Sequence, residues 1–185
     1  MLLNPKQNSF FFQFPKGFFP EVIVNKYLPY LKKQPIPYDS LAQYVNSTIQ
    51  TISFPGLQID SVEQIRPLGK KITYKGSTPI QDLFSNDLSI QFRLVDGFIN
   101  YFILLDTTLW YINFAQEQLF IQDLPLRIMD SEGNIVVSAT FQQSILSSFS
   151  ELQFAYTANA PQDANFSMGF KFNYIDIKLE AKSDI

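Results

Sequence analysis

Alternation of apolar and polar positions is clearest at two places in the chain. Leu88, Ile90, Phe92 and Leu94 point one way, and Ser89, Gln91 and Arg93 the other. A period of two with one apolar face predicts a half-buried strand of an antiparallel sheet over 88–95. Phe166, Met168, Phe170, Phe172 and Tyr174 alternate likewise with Ser167, Gly169, Lys171 and Asn173. They predict a long closing strand that runs to about Leu179 after a change of phase at Ile175. Between these strands the period switches to that of a helix. Phe98, Tyr101, Phe102, Leu105, Leu109 and Ile112 recur at i, i+3 and i+4 spacing, so 97–113 predicts a helix with this stripe buried. Asp96 is its expected cap. Ile103, Leu104, Trp110 and Tyr111 broaden the apolar surface beyond one stripe. Such a helix needs cover on more than one side, from a sheet and, as one option, from a neighbouring subunit.

The remaining elements are shorter. Residues 10–14 predict a first strand, stopped by Pro15 and Gly17. Five prolines follow between 15 and 37, with Val22, Ile23, Val24, Tyr27, Leu28, Tyr30 and Leu31 between them. Proline fixes φ and lacks a donor, so 15–46 reads as an ordered Pro-rich arm or extended loop. It ends in a short helix over 38–46 capped by Asp39 or Ser40. Residues 47–54 are rich in β-branched side chains and predict a strand ending at the Pro55-Gly56 turn. Weaker strands are expected at 57–66 and 70–74, as an extended excursion between turns. After the helix, 124–129 and 135–141 predict a hairpin around Asp130-Ser131-Glu132-Gly133-Asn134, and strand character continues at 146–149 and 152–156. The whole reads as a single domain over 1–185, with 47–179 as its core.

Composition then removes chemistry. The chain has no cysteine and no histidine, so disulfides, thiolate or imidazole metal ligands, and Ser-His-Asp or cysteine nucleophiles are absent. No enzyme activity, cofactor or metal is expected. Net charge is -3, which argues against a protein that neutralises phosphates, while weak repulsion suits one that lets nucleic acid slide past. Charged residues make up only 17%, and there are 19 Phe and 9 Tyr. That balance fits either an aromatic core or surface buried against partners. The amino terminus does not read as a signal peptide, and the apolar run 98–114 is too short and too polar for a membrane span.

Local motifs stay weak. Gly69-Lys70-Lys71 has the end of a phosphate loop without its spaced first glycine or a following helix. Residues 130–134 have acidic oxygens in a turn but lack the remaining ligand spacing of a calcium loop. Asp82 and Asp87 read as loop acids. Arg66, Lys70, Lys71 and Lys75 form a small basic patch, read either as a contact to the next subunit or as a solvated face.

The order of parts resembles the tail tube protein of contractile-tailed phages, a superfamily shared with the haemolysin-coregulated protein of type VI secretion. The resemblance covers about 47–179 and lies in Pro55-Gly56, the basic 69–76 segment, the strand 88–95, the helix from Asp96 to Trp110, the strands within 124–141 and the alternating strand 166–174. It implies a mainly β (α+β) fold: an antiparallel β-barrel or sandwich with one long packed helix. It further implies a structural virion protein, assembled in the host cytoplasm, whose copies close hexameric rings and stack into a hollow conduit for DNA ejection. Partners would be copies of the chain, other tail proteins (sheath, baseplate or terminator) and DNA passing without sequence-specific binding, with no membrane. By analogy Arg66, Lys70, Lys71 and Lys75 would make inter-ring contacts. Ser47, Gln50, Ser53, Ser167, Lys171 and Asn173 would face the lumen, and Phe98, Tyr101, Phe102, Leu105, Leu109 and Trp110 would form the core helix. The 15–46 segment exceeds a minimal tube subunit, so a tube-derived ring or tail terminator is an alternative. A soluble β-sandwich module binding glycans or peptides through Tyr27, Tyr30 and Tyr38 is another.

Overall fold

A computed structural model describes residues 10–35, 37–56, 61–67, 69–76, 86–115, 119–130, 132–152 and 165–180. In chain order they form β1 (Phe10–Phe12), α1 (Glu21–Leu31), α2 (Leu41–Ser47), β2 (Ile49–Ser53), β3 (Ser61–Ile65), β4 (Lys71–Lys75) and β5 (Asp87–Arg93). Then come α3 (Ile99–Phe114), β6 (Leu124–Met129), β7 (Ile135–Gln142), β8 (Ile145–Phe149), β9 (Asn165–Lys171) and β10 (Tyr174–Leu179). All strand pairs are antiparallel. One four-stranded sheet has the order β1-β6-β7-β10, a second has β2-β5-β9-β8, and β3-β4 is a separate hairpin. The fold is mainly antiparallel β with a long helix, as the sequence predicts. Among the described residues its sheets are open at both edges and do not close into a barrel.

The alternation over 88–95 becomes β5. Leu88, Ile90 and Phe92 are buried and stand opposite Phe170, Met168 and Phe166 of β9, which are buried too. These rings and branched chains form one side of the core. Leu124, Leu126 and Phe141 of the other sheet join the same cluster. The predicted closing strand is two strands. β9 belongs to one sheet and β10 to the other, and the change of phase marks the passage between them at Phe172 and Asn173. There the Asn173 amide donates to the Gln142 carbonyl at 3.2 Å. The 130–134 turn joins β6 to β7 as expected. The Asp130 carboxylate accepts from the backbone amides of Glu132 (2.8 Å) and Asn134 (2.9 Å).

Three expectations are corrected. The 15–46 segment is not an extended loop, since Glu21–Leu31 forms α1. Phe14 and Phe18 stack with centroids 4.5 Å apart, both fully buried, and Phe14 also stacks on Phe92 of β5 at 6.2 Å. Pro20 stands at the helix entrance, and Pro29 lies inside α1, close to its end. A proline at the entrance gives up no helical donor, whereas Pro29 removes one bond, to the Asn25 carbonyl, in the last turn. The helix over 41–47 follows the sequence reading, with Ser40 as its cap accepting from Gln43 N at 3.1 Å. Second, Ser47 ends α2 and is not a strand residue. Its hydroxyl donates to the Tyr44 carbonyl at 2.7 Å.

The third correction concerns α3. Its N-cap position is Phe98, two residues beyond Asp96. Asp96–Phe98 is a 3-10 turn, and Phe98, at φ 55°, stands at the N-cap with no side-chain cap bond. Asn100 ties the helix start to β5 instead, donating to the Arg93 carbonyl at 2.6 Å. The buried face comprises Asn100, Tyr101, Ile103, Leu104 and Thr107. Phe98, Leu105 and Trp110 are half-buried. Phe102, Leu109 and Ile112 point outward at 42%, 46% and 65% exposure. The helix is apolar nearly all round, so periodicity alone does not select which side faces the sheet.

Candidate self-assembly surfaces

The β2-β5-β9-β8 sheet has two chemically different faces. Its inner face carries the aromatic core. On the outer face, register brings Ser53, Ser89, Gly169 and Ser148 into one row, and Thr51, Gln91 and Ser167 into the next. Ser150 extends the second row: its hydroxyl accepts from Ser167 N at 2.9 Å, and its own amide donates to the Ser167 carbonyl at 2.9 Å. Gly169 has a local reason. A Cβ there would meet the Ser148 hydroxyl, so any larger residue requires that hydroxyl to turn away. Charges sit at the ends, with Asp87 opposite Lys171 and Arg93 opposite Asn165. The result is a band of small uncharged hydroxyls and amides, bounded by charged rows.

Of the predicted lumen positions, Ser53 and Ser167 lie within this band. Lys171 ends β9 beside it. Gln50 is at a β-bulge of the edge strand β2, where the register shifts between Ile49 and Thr51. Ser47 is on α2, and Asn173 is in the link to β10, its side-chain amide donating to Gln143 at 3.3 Å. Thr51, Ser89, Gln91, Ser148 and Ser150 were not singled out from sequence. Ser89 and Gln91 were legible as the polar side of the β5 alternation.

Three of the basic residues, Arg66, Lys70 and Lys71, stand at the turn end of the β3–β4 hairpin, which is separate from both sheets, and Lys75 is opposite Ser61 at its other end. Arg66 and Lys70 close its turn, with Arg66 N donating to the Lys70 carbonyl at 2.9 Å and Gly69 at φ 72°. The Arg66 guanidinium reaches the Tyr74 hydroxyl at 3.3 Å, and Lys71 pairs with Glu63 at 3.2 Å. Lys75 is the last residue of β4. Val62, Ile65 and Tyr74 of the same hairpin are exposed. A two-stranded ribbon is marginal by itself in water, so this one is suited to packing on something else.

Two of the three aromatics invoked for ligand binding are engaged elsewhere, while Tyr30 is exposed on α1. Tyr27 donates to Asp106 of α3 at 2.7 Å, and Tyr38 packs edge-on against Tyr44 at 5.0 Å. Asp106 also holds Lys26 at 2.5 Å, so the pair locks α1 onto α3. Burial pushes the Asp106 carboxyl up, but hydrogen bonds from Lys26 and Tyr27, with the charge of Lys26, outweigh it and hold the group below the usual carboxylate range. Burial, then the bond to Asp106, pushes the Tyr27 phenol up. Burial likewise raises Tyr111, whose hydroxyl donates to the Phe18 carbonyl at 3.1 Å. Asp82 lies outside the described residues. No cluster of metal-ligating side chains occurs among the described residues, and no helix there is long and apolar enough to cross a membrane.

No protein-family model matches the chain, and no curated protein matches its sequence. Solved structures do match. The tube-terminating cap of the anti-feeding prophage is 12% identical with a TM-score of 0.54, over 97% of this chain and 93% of that one. The chain shares the fold of that cap. The sheath/tube terminator of an extracellular contractile injection system is 13% identical with a TM-score of 0.48, over 70% of this chain and 84% of that one. Hcp1 from Flavobacterium johnsoniae is 11% identical with a TM-score of 0.34, over 70% of this chain and 84% of that one. At the level of fold, the likeness expected from the sequence holds for the tube-terminating cap.

Proposed function

We propose that this chain is a non-catalytic structural subunit that closes into a ring on a tail-type tube, with the polar face of the β2-β5-β9-β8 sheet turned to the lumen. The observation that carries this reading is the fold shared with a tube-terminating cap over nearly the whole of both chains. That match spans 15–46, the segment in excess of a minimal tube subunit. It therefore favours a capping or terminating ring over the repeating subunit of the tube.

Physical features of the chain support the same reading. β2 and β8 are the edges of the polar-faced sheet, and unpaired edges invite further strands. Pairing β8 of one copy with β2 of the next is a heterologous contact, which closes a ring when the rotation allows; six copies follow from the resemblance. The serine, threonine and glutamine band itself carries no cation, Lys171 and Arg93 standing only at its ends, so in a chain of net charge -3 a duplex passes it without sequence-specific hold. The β3–β4 hairpin, with Arg66, Lys70, Lys71 and Lys75, contacts the next ring or an adjoining sheath or baseplate protein. The particle is a virion or injection apparatus assembled in the host cytoplasm. Negative-stain imaging across a concentration series, with and without preformed tubes, tests this reading. Single rings that dock at tube ends support the cap; long stacks make the chain the tube subunit; monomers throughout overturn both.

A further inference from the structure

We propose that the outward stripe of α3 in one copy docks into the cleft between β1, α2 and β2 of the next copy. The stripe comprises Phe102, Leu109 and Ile112, with half-buried Leu105 between them. This inference rests on the ring reading above and names its subunit contact.

The ridge lies beside one free edge of the polar-faced sheet. α3 runs along β8 in the opposite direction. Near the helix start the Tyr101 ring is 4.9 Å from Phe149, and its hydroxyl donates to the Ser150 carbonyl at 3.3 Å. At the other end Tyr111 and Ile112 meet Ile145 and Leu146 around a cavity of about 160 Å³. The side of the helix away from the core keeps its stripe in solvent, and Leu119, Phe120 and Ile145, which line one cavity with Ile112, extend it as further exposed apolar residues. A contiguous apolar surface of this kind marks an interaction site.

The cleft lies beside the opposite free edge of the same sheet. About 530 Å³ in volume, it is lined by Phe10, Phe11 and Phe12 of β1, Gln43 of α2, and Ile49 and Gln50 of β2 among others. None of its lining residues carries a charge. α2 and β1 flank β2 from the core side, since Phe12 and Val45 are buried in the same core as Ile90 and Phe92. Ridge and cleft therefore sit on the same side of one sheet, at its two ends. Pairing β8 with the β2 edge of another copy carries the ridge of the first toward the cleft of the second. The lining also holds Gln13, Ser40, Asn46 and Ser47, so an apolar ridge entering this uncharged cleft desolvates no ion and meets the Phe10–Phe12 rings and Ile49 among uncharged polar groups. The fit is heterologous, so each copy uses both surfaces, as a ring requires.

The experiment uses two variants of the full chain. A ridge variant carries Leu109→Arg and Ile112→Arg; a cleft variant carries Phe11→Arg and Gln43→Arg. All four positions are exposed, and circular dichroism checks that each variant folds. A control, Val22→Arg on the exposed face of α1, adds charge elsewhere. The ridge and cleft variants should each raise the concentration needed for half-assembly at least about tenfold, while the control assembles as the parent does. An equimolar mixture retains one intact ridge and one intact cleft per pair, so native mass spectrometry should show a one-to-one heterodimer and no ring. Rings from the ridge variant at parental concentrations overturn the proposal and leave the ridge to a partner outside the ring. A mixture with no heterodimer, or a control as defective as the two variants, overturns it as well. If the parent chain itself forms no ring, the ring reading falls with it.

Discussion

Truncating α3 on its two sides should have opposite consequences, and the difference can be worked from burial. Leu104 is completely buried in the shared core, whereas Leu109 is 46% exposed. Leu104→Ala removes buried methyl groups and leaves a cavity where the helix meets the core. Changes of this kind cost about 2–5 kcal/mol, a large share of the roughly 5–15 kcal/mol of a whole domain. In a chain of this size about 1 kcal/mol moves the melting temperature by roughly 2–4 °C, so a central loss of about 3 kcal/mol lowers it by roughly 6–12 °C. Leu109→Ala, half in water already, should change monomer stability by no more than about 0.5 kcal/mol. The assay is thermal and urea unfolding by circular dichroism. It must be run below the assembly threshold, because assembly adds stability by mass action. Leu104→Ala should melt early, and Leu109→Ala should melt with the parent but assemble poorly. Equal losses in the two monomers would refute the orientation of α3, and with it the ridge.

Three further outcomes follow from the same geometry. Asn100→Ala should cost about 1–3 kcal/mol, because the fully buried amide that holds the Arg93 carbonyl is lost; urea unfolding at constant slope measures it. The Asp106 carboxyl sits below its usual pKa, so its contribution is fully present above the unfolded value, near 4, and is lost as pH falls through the folded value. Asp106→Asn should flatten that acid limb of stability by about 1 kcal/mol or less, since Lys26 is largely solvent-exposed, and melting curves between pH 3 and pH 6 read it directly. Gly97→Ala should cost about 1–2 kcal/mol, since Gly97 sits at φ 73° in the turn before α3; a melting temperature equal to the parent's would deny that conformation.

The parts legible from sequence are those where one physical signal dominates. β5 and β9 each carry a clean period of two with one apolar face, and both are strands with that face buried. The Asp130–Asn134 turn was legible because its acceptor and glycine stand where a hairpin needs them. The existence of α3 was legible, but its orientation was not. Apolar residues surround it, and the choice of buried side comes from Asn100 bonding to β5 and Asp106 bonding to α1, contacts between parts distant in sequence. The 15–46 segment was misread because its prolines outweighed its apolar spacing. Pro20 stands at the entrance of α1 and Pro29 close to its end. The polar face of the second sheet was only partly legible. Single strands display Ser53, Ser167 or Gln91, but the register that joins them into rows is a property of the sheet.

The central claim is a ring with the serine-rich sheet face inward. Cryo-electron microscopy of the assembled protein measures it most directly. The account predicts a closed ring whose central hole is lined by Ser53, Ser89, Gln91 and Ser167, with β8 of each copy beside β2 of the next. A ring with that face turned outward, or a protein that stays monomeric at every concentration and in the presence of tubes, would contradict it.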